Sequence, residues 1–360
     1  MAATTGGVDM DTVIIPQVFA RFGFWHSDPE RVSRGNGLKE PFDVSPFRMV
    51  RRDGDQYLMV SAGRDGLPYG RMPKLILALL ATMAVRTDSR EIILPNAKST
   101  LAAIGIEGQN PKYNVSLEAA IRRLLGCRYW HITHQYGDNR DIADGWAEAI
   151  DKGLKIPDHY AMSEFRIAED IRLFDKDGEP VRLWKDREPM RIVLSEEFFA
   201  AAKAGVELDA NTWHSISGSA IALDVYSWIN QRASKMGAAE VPSGALCRQL
   251  GFVCKPHEAK AKTAAAVESI KEFWGSLEVE FKDGYTKLGG GPNAGWYAAH
   301  ATDGAIVLVT DTRHVKVIAQ RAQEAGYQEP VAETKTEKAM GRIAESSPAD
   351  WKEAFGGWGL

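Results

Sequence analysis

The pattern that most constrains this chain is one it carries twice, with Gly105 of the first copy answering Gly251 of the second. In the first copy an apolar run, Leu75-Ile-Leu-Ala-Leu-Leu-Ala-Thr-Met-Ala84, predicts a helix that leads into Ile92-Ile-Leu-Pro95. A short helix follows from Asn96 to Ile104 and stops at Gly105-Ile106. A further helix over Val115 to Leu125 and a strand over Tyr129-Trp-His-Ile-Thr-His-Gln-Tyr136 complete the unit. The second copy keeps the order: Ala220-Ile-Ala-Leu-Asp-Val-Tyr-Ser-Trp-Ile229, then Val241-Pro242, then a short helix ending at Gly251-Phe252. A long helix from Glu258 to Leu277 and the alternating Leu277-Glu-Val-Glu-Phe281 close it. Helix, short strand, helix, turn, helix, hairpin is the layout of a winged helix, a module that commonly meets duplex DNA. The chain therefore reads as α+β, two tandem winged-helix domains with a short irregular N-terminal region and a flexible C-terminal tail.

At 360 residues the chain is long enough for two domains. The expected division is residues 1–60, partly disordered; 61–205, the first winged helix; 206–325, the second; and 326–360, the tail. Asp138 to Tyr160 reads as a long insertion in the first wing. Phe165-Arg-Ile-Ala168 and Arg191-Ile-Val-Leu194 read as strands with a turn at Asp177-Gly178, and Ser195 to Ala204 as a connecting helix. The aromatic end, Asp350 to Leu360, reads as a docking peptide or as a strip lying on its own domain. The longest apolar run is half of what a bilayer needs and is flanked by Arg71, Lys74 and Arg86, so no membrane span is expected. No secretory signal is visible, and the three cysteines, Cys127, Cys247 and Cys254, are odd in number and irregular in spacing. Both fit a protein of the bacterial cytoplasm without structural disulfides.

A net charge of −4 is unusual for a DNA binder, so its distribution matters. Residues 68–136 hold nine Lys and Arg against four Asp and Glu, and residues 231–290 nine against seven. Residues 138–188 hold nine against fourteen, which places the excess acid between the two units. Screening within about 8–10 Å makes local rather than net charge decide phosphate contact.

The third helix of each unit is the one that enters a major groove in this architecture. In the first, Leu117, Ala120, Ile121 and Leu124 make the buried stripe, and Lys112, Asn114, Ser116, Arg122 and Arg123 lie off it or at its border. Arg suits guanine edges and phosphates, Asn suits adenine, and Ser and Lys suit phosphate oxygens. In the second, Val267, Ile270, Trp274 and Leu277 make the stripe, and Lys255, Lys260, Lys262 and Thr263 stand at or before its N-terminal end. Lys282, Tyr285 and Lys287, in an expected hairpin turn, are candidates for the backbone or minor groove. The plain alternative is that these are solvated faces of amphipathic helices and an ordinary exposed hairpin.

Gly66-Leu-Pro-Tyr-Gly-Arg-Met-Pro-Lys-Leu-Ile-Leu77 and Thr82-Met-Ala-Val-Arg-Thr-Asp-Ser-Arg-Glu91 resemble the signature of plasmid RepA-type replication initiators. Leu101 to Ile106, Arg122 to Leu125 and Ser219 to Ile229 support the resemblance, which covers roughly residues 60–310. It implies an origin-binding protein that recognises repeated sites (iterons), opens an adjacent AT-rich stretch, and works with a host initiator and replicative helicase. It also implies self-association, with dimers less active in initiation than monomers. Base readout falls mainly to the second unit, nominating Arg248, Lys255, Lys260, Lys262 and Thr263. Lys112, Arg122 and Arg123 of the first unit are left to support phosphates, that unit also mediating dimerisation.

Chemistry is not expected. His131-Ile-Thr-His134 is one residue too long for the paired histidines of a nicking enzyme, and on a strand that spacing sends the imidazoles to opposite faces. Cys247, Cys254 and His257 lack a fourth zinc ligand, and Gly289-Gly-Gly291 lacks the lysine and helix of a phosphate-binding loop. The reading is a non-enzymatic DNA-binding initiator without cofactor or metal. Two alternatives are a transcriptional regulator on the same modules and a DNA-independent assembly protein, which the net charge favours.

Overall fold

The computed structural model describes residues 3–4, 11–35, 46–53, 56–106, 110–134, 160–174, 176, 179, 181–184, 188–236, 238–242, 246, 249–252, 256–274, 277–281 and 305–309. In chain order these are β1 (Ala3–Thr4), β2 (Thr12–Ile15), α1 (Gln17–Arg21), α2 (Pro29–Gly35), β3 (Arg48–Asp53) and β4 (Gln56–Ser61). The first repeat follows with α3 (Arg71–Thr87), β5 (Glu91–Leu94), α4 (Ala97–Ala103), α5 (Pro111–Gly126) and β6 (Arg128–His134). Then come β7 (Tyr160–Phe165), β8 (Ala168–Asp170), β9 (Met190–Leu194), α6 (Glu196–Lys203), β10 (Val206–Asp209) and α7 (Ala210–Ser215). The second repeat holds α8 (Ala220–Met236), β11 (Ala238–Pro242), α9 (Pro256–Lys271), β12 (Glu278–Phe281) and β13 (Ala305–Val309). The molecule is thus a mixture of helices and sheets. No described helix is long and apolar enough to cross a membrane.

Local chemistry explains the first repeat. Every residue from Met72 to Ala84 is buried, as expected of a helix that is apolar all round, and Asp88 ends it in the left-handed region at φ 47°. Asn96 starts α4 by accepting a hydrogen bond from the Ser99 amide. Gly105, at φ 74°, ends it, and the Ile106 amide reaches back to the Leu101 carbonyl. Asn110 caps α5 and Pro111 occupies its first turn, so the helix begins four residues before the expected Val115. Gly251 adopts the same φ of 74° after the helical residues Gln249 and Leu250, in the corresponding place of the second repeat. The helix that follows is shorter than expected, ending at Lys271, with Glu278 opening the next strand.

Strand order repeats as well. β5, the strand after the first helix, pairs antiparallel with β9, which pairs on its other side with β8. β11 pairs in the same way with β13, which also takes β12. The first repeat differs here from the expected layout. The expected wing strand, β6, joins a separate antiparallel sheet of order β3-β4-β6-β7, and the hairpin that completes the first repeat is β8–β9. Its arms close through the Val181 amide and the Leu173 carbonyl, with Leu173 and Leu183 buried. The turn expected at Asp177-Gly178, the insertion between β6 and β7, and the tail from 326 lie outside the described residues.

The N-terminal region is not a separate, irregular piece. All four residues of β2 are buried; β2 pairs with β10 and the Ile14 amide donates to Thr82 Oγ1 of α3 at 2.8 Å. Phe19 of α1 meets the rings of Tyr129, Phe165 and Phe198 at 5.5, 6.1 and 6.5 Å. The apolar pieces of residues 13–25 supply surface that the sheets and helices need to cover, which is why they order. Buried side chains from Val13 to Leu277 form one continuous cluster that runs through both repeats.

A polar seam lies inside that cluster. Lys74 of α3 pairs with Asp224 of α8, both almost fully buried, and His26 Nε2 approaches the second carboxylate oxygen at 2.8 Å. Arg51 and Asp53, on one face of β3, both reach the second repeat. The Arg51 guanidinium lies 4.0 Å from the Trp25 ring centroid, donates to the Gly23 carbonyl at 3.0 Å, and fills the space where a Gly251 side chain would begin. Asp53 accepts from Gln249 Nε2 at 2.7 Å and pairs with Arg21 and Arg232. Such buried ionic contacts add little net stability but fix one geometry among several.

Candidate nucleic-acid interface

The solvent face of α5 is the best-defined surface among the sequence candidates. At about 100° per residue, Val115 stands half a turn from buried Leu124 and so at the centre of that face. Lys112, Asn114, Val115 and Ser116 are all exposed, Val115 to 70%. Leu117, Ala120, Ile121 and Leu124 are buried, as their spacing predicts. No acid lies in the first turn, and the one glutamate farther along, Glu118, pairs with Arg122.

The two arginines of α5 are committed to neighbouring elements. Arg122 donates to the Val181 carbonyl of the β8–β9 hairpin and contacts Glu118. Arg123 donates Nε to the Asp65 carbonyl at 3.1 Å, and its guanidinium lies 4.4 Å from the Tyr69 ring centroid. As folded, both side chains brace the helix against its neighbours rather than standing free for phosphate.

The second repeat's candidates divide differently. Thr263 is 2% exposed and faces the core beside Val267, so it cannot touch a base edge; its position on the buried stripe, four residues before Val267, explains this. Lys260 is half-buried rather than exposed, and Lys262 is exposed. Val267, Ile270, Trp274 and Leu277 are buried as expected. The side chains of Arg248, Lys255, Lys282, Tyr285 and Lys287 lie outside the described residues, as do those of Cys247, Cys254 and His257. Cys127 is buried, where loss of solvent pushes its thiol up to about 12, so it is a core residue. Burial and nearby Arg21 hold His131 below the usual histidine range.

Four residues belong to this surface that sequence reasoning did not single out. Lys98 of α4 is exposed, as is Val115. Arg172 and Arg182 flank the Leu173–Val181 contact on the hairpin, both exposed and without an ion pair among the described residues. Because Arg122 joins α5 to Val181, these cations stand beside the helix. Between them in the sequence, Lys176 and Glu179 are also exposed, and Glu179 pairs with Arg64 at 3.8 Å. The signal for the hairpin is the strand alternation around Leu173 and Leu183, which competes in the sequence with the equally alternating β6. Similar alternation governs the acids beside it: Glu91 and Asp170 hold Arg191, and Glu169 and Glu196 hold Arg90. Part of the connector's excess acid is therefore neutralised locally.

No protein-family model matches the chain, and no curated protein sequence matches it. Among solved structures, the fold is similar to crystal structures of domains 2 and 3 of RctB. A selenomethionine derivative is 12% identical, with a TM-score of 0.45, covering 79% of this chain and 98% of that one. A second structure of the same domains is 12% identical, with a TM-score of 0.44, covering 75% and 93%. Likeness at that level carries no weight for function, which has to be read from the residues themselves.

Proposed function

We propose that this chain is a sequence-specific duplex-DNA-binding protein of the replication-initiator kind, built on two winged-helix repeats. The observation that carries the reading is the repeated topology. Both repeats run helix, strand, helical turn, glycine at φ 74° and long helix, and both end in a strand hydrogen-bonded between two others; in the first, β6 and β7 of a separate sheet intervene before β8 and β9. In a winged helix that arrangement presents the long helix to a major groove and the hairpin to the adjoining backbone. Here α5 and the β8–β9 hairpin carry exposed cations on neighbouring surfaces. The resemblance of residues 66–91 to plasmid initiators supplies the finer reading: binding to repeated origin sites, opening of a nearby AT-rich stretch, self-association, and recruitment of a host initiator and helicase. The mechanism is binding energy rather than bond chemistry. Two long helices about one DNA turn apart cover a site of about 20 base pairs. Strain imposed on flexible AT-rich steps, about a few kcal/mol, is offset by phosphate contacts.

Footprinting of the full chain on DNA flanking its own gene, across a salt series, tests the reading. Protection of direct repeats beside an AT-rich segment, weakening steeply with salt, is expected. Protection of a promoter palindrome alone replaces the initiator with a regulator. Absence of salt-sensitive protection assigns the repeats to protein contacts.

A further inference from the structure

We propose that α5 of the first repeat reads an A·T step in the major groove, with Asn114 pairing to adenine and Val115 packing on a neighbouring thymine methyl. The proposal rests on the duplex-DNA reading. It departs from the division of labour that the family resemblance implies, in which the first repeat only supports phosphates.

Val115 is the reason. A β-branched residue loses side-chain freedom in a helix, and an apolar side chain 70% exposed contributes nothing to the core. Folding gives no account of it, yet it occupies the centre of the solvent face. Its neighbours on that face, three, four and seven positions away, are Lys112, Glu118, Ala119 and Arg122, and apart from Pro111 at the helix start no other apolar side chain larger than alanine is exposed on α5. A protein interface gathers several large apolar anchors in one patch. A thymine methyl needs one small apolar contact in an otherwise polar, cationic setting, and the thymine C5 methyl lies in the major groove. Asn114 precedes Val115 by one position, about 100° round the helix, and the proposal sets the two side chains against adjacent base pairs. The asparagine amide matches adenine N6 and N7 as donor and acceptor.

Charge agrees with this occupant. Lys98 and Lys112 are exposed beside the face, and Arg172 and Arg182 stand on the adjoining hairpin. Glu118 is held by Arg122 at 3.4 Å. The remaining acid of this turn and helix is Glu107, four residues before the α5 start. Because Arg122 and Arg123 brace α5 against Val181 and Asp65, the helix presents Asn114 and Val115 from a fixed base rather than from a loose one.

The test selects binding sites for the full-length chain from duplexes with a randomised centre, using the wild type, Val115→Ala and Asn114→Ala. Within the selected site, single thymines are then replaced by deoxyuridine, which lacks the methyl, and single adenines by 7-deazaadenine, which lacks N7. The wild type should lose about fourfold in affinity at one deoxyuridine position, the worth of one buried methyl, and Val115→Ala should be indifferent there. It should lose about tenfold at an adjacent adenine, and Asn114→Ala should be indifferent to that change. Both residues are exposed, so thermal melting should match the wild type.

Unchanged base preferences in both variants, with salt-sensitive duplex binding retained, overturn this inference and leave the DNA reading standing. Absence of salt-sensitive duplex binding by the wild type removes the reading itself. A change in sedimentation of Val115→Ala without a change in base preference makes Val115 a contact between protein copies and also overturns the inference.

Discussion

The first helices of the two repeats, α3 and α8, are both 17 residues long and have opposite interiors. α3 buries apolar side chains on every side, with Lys74 as its one buried charge. α8 buries Asp224, Ser227, Asn230 and Gln231 among its apolar residues. Equal topology therefore does not require equal chemistry. The apolar helix gathers the core, as its contacts with β2, α5 and α6 show. The polar helix forms the seam, because it carries the groups that must find one partner each. On the proposed reading the consequence is geometric: two long helices joined through a seam of specific partners stand at a fixed separation, which would suit a DNA site of fixed spacing.

The sharpest way to break this comparison is to remove one side of the seam. Asp224→Ala leaves Lys74 and its charge buried without the carboxylate, and a loss of about 3–5 kcal/mol in urea denaturation is expected. Replacing both, Lys74→Met with Asp224→Leu, should recover most of that loss while relaxing the relation of the repeats. If the double variant is stable but protects DNA repeats as tightly as the wild type, the seam does not set helix spacing.

Acid tests the same pair. Burial raises the Asp224 carboxyl, but Lys74 and His26 outweigh it and hold the group below the usual aspartate range. A folded value below the unfolded value of about 3.9 means stability present above that pH and lost as pH falls through the folded value. Wild-type stability should therefore fall more steeply below about pH 4 than that of Asp224→Asn, measured by urea melts across pH. Parallel curves would show that the pair contributes nothing through this linkage.

How much of this was legible follows from where information sits in a sequence. The helices of both repeats and the turns at Gly105 and Gly251 follow from apolar spacing and from residues whose role is local. The sheet that β6 joins is not legible, because β6 alternates as any hairpin strand does and nothing local says that it pairs with β4 rather than β5. Strand partners are set by distant surfaces. The commitment of Arg122 and Arg123 was invisible for the same reason: their acceptors, Val181 and Asp65, lie 59 and 58 residues away. Thr263 was a local error, since its place on the stripe of Val267 could be read from spacing. Residues 13–25 look irregular in the sequence because their strand and helix are too short to show a period, although their partners bury most of them.

The two turn glycines separate the repeats by a smaller amount. Both stand at φ 74°, where a side chain costs about 1–2 kcal/mol in backbone strain. At Gly105 an added Cβ meets the His214 side chain at 3.1 Å, a tight but yielding contact. At Gly251 it would overlap the Arg51 guanidinium, and that group cannot withdraw without giving up Trp25 and the Gly23 carbonyl. Thermal melting should rank Gly251→Ala well below Gly105→Ala. Equal losses would mean that Arg51 is not what holds the second turn to β3.

The smallest effect concerns single cations. Lys112→Ala on α5 and Lys262→Ala on α9 both remove an exposed side chain, so melting should be unchanged within about 0.5 kcal/mol. If both helices face DNA, each substitution should lower the slope of log affinity against log salt by about one phosphate. Arg122→Ala is the control: it removes the bond to Val181, so it should cost stability first, about 1 kcal/mol. Its salt slope should stay near the wild-type value, because the guanidinium is already held by protein. A slope that falls for Lys112→Ala but not for Lys262→Ala would place the phosphate contacts on the first repeat alone, and the symmetry of the two long helices would end at their topology.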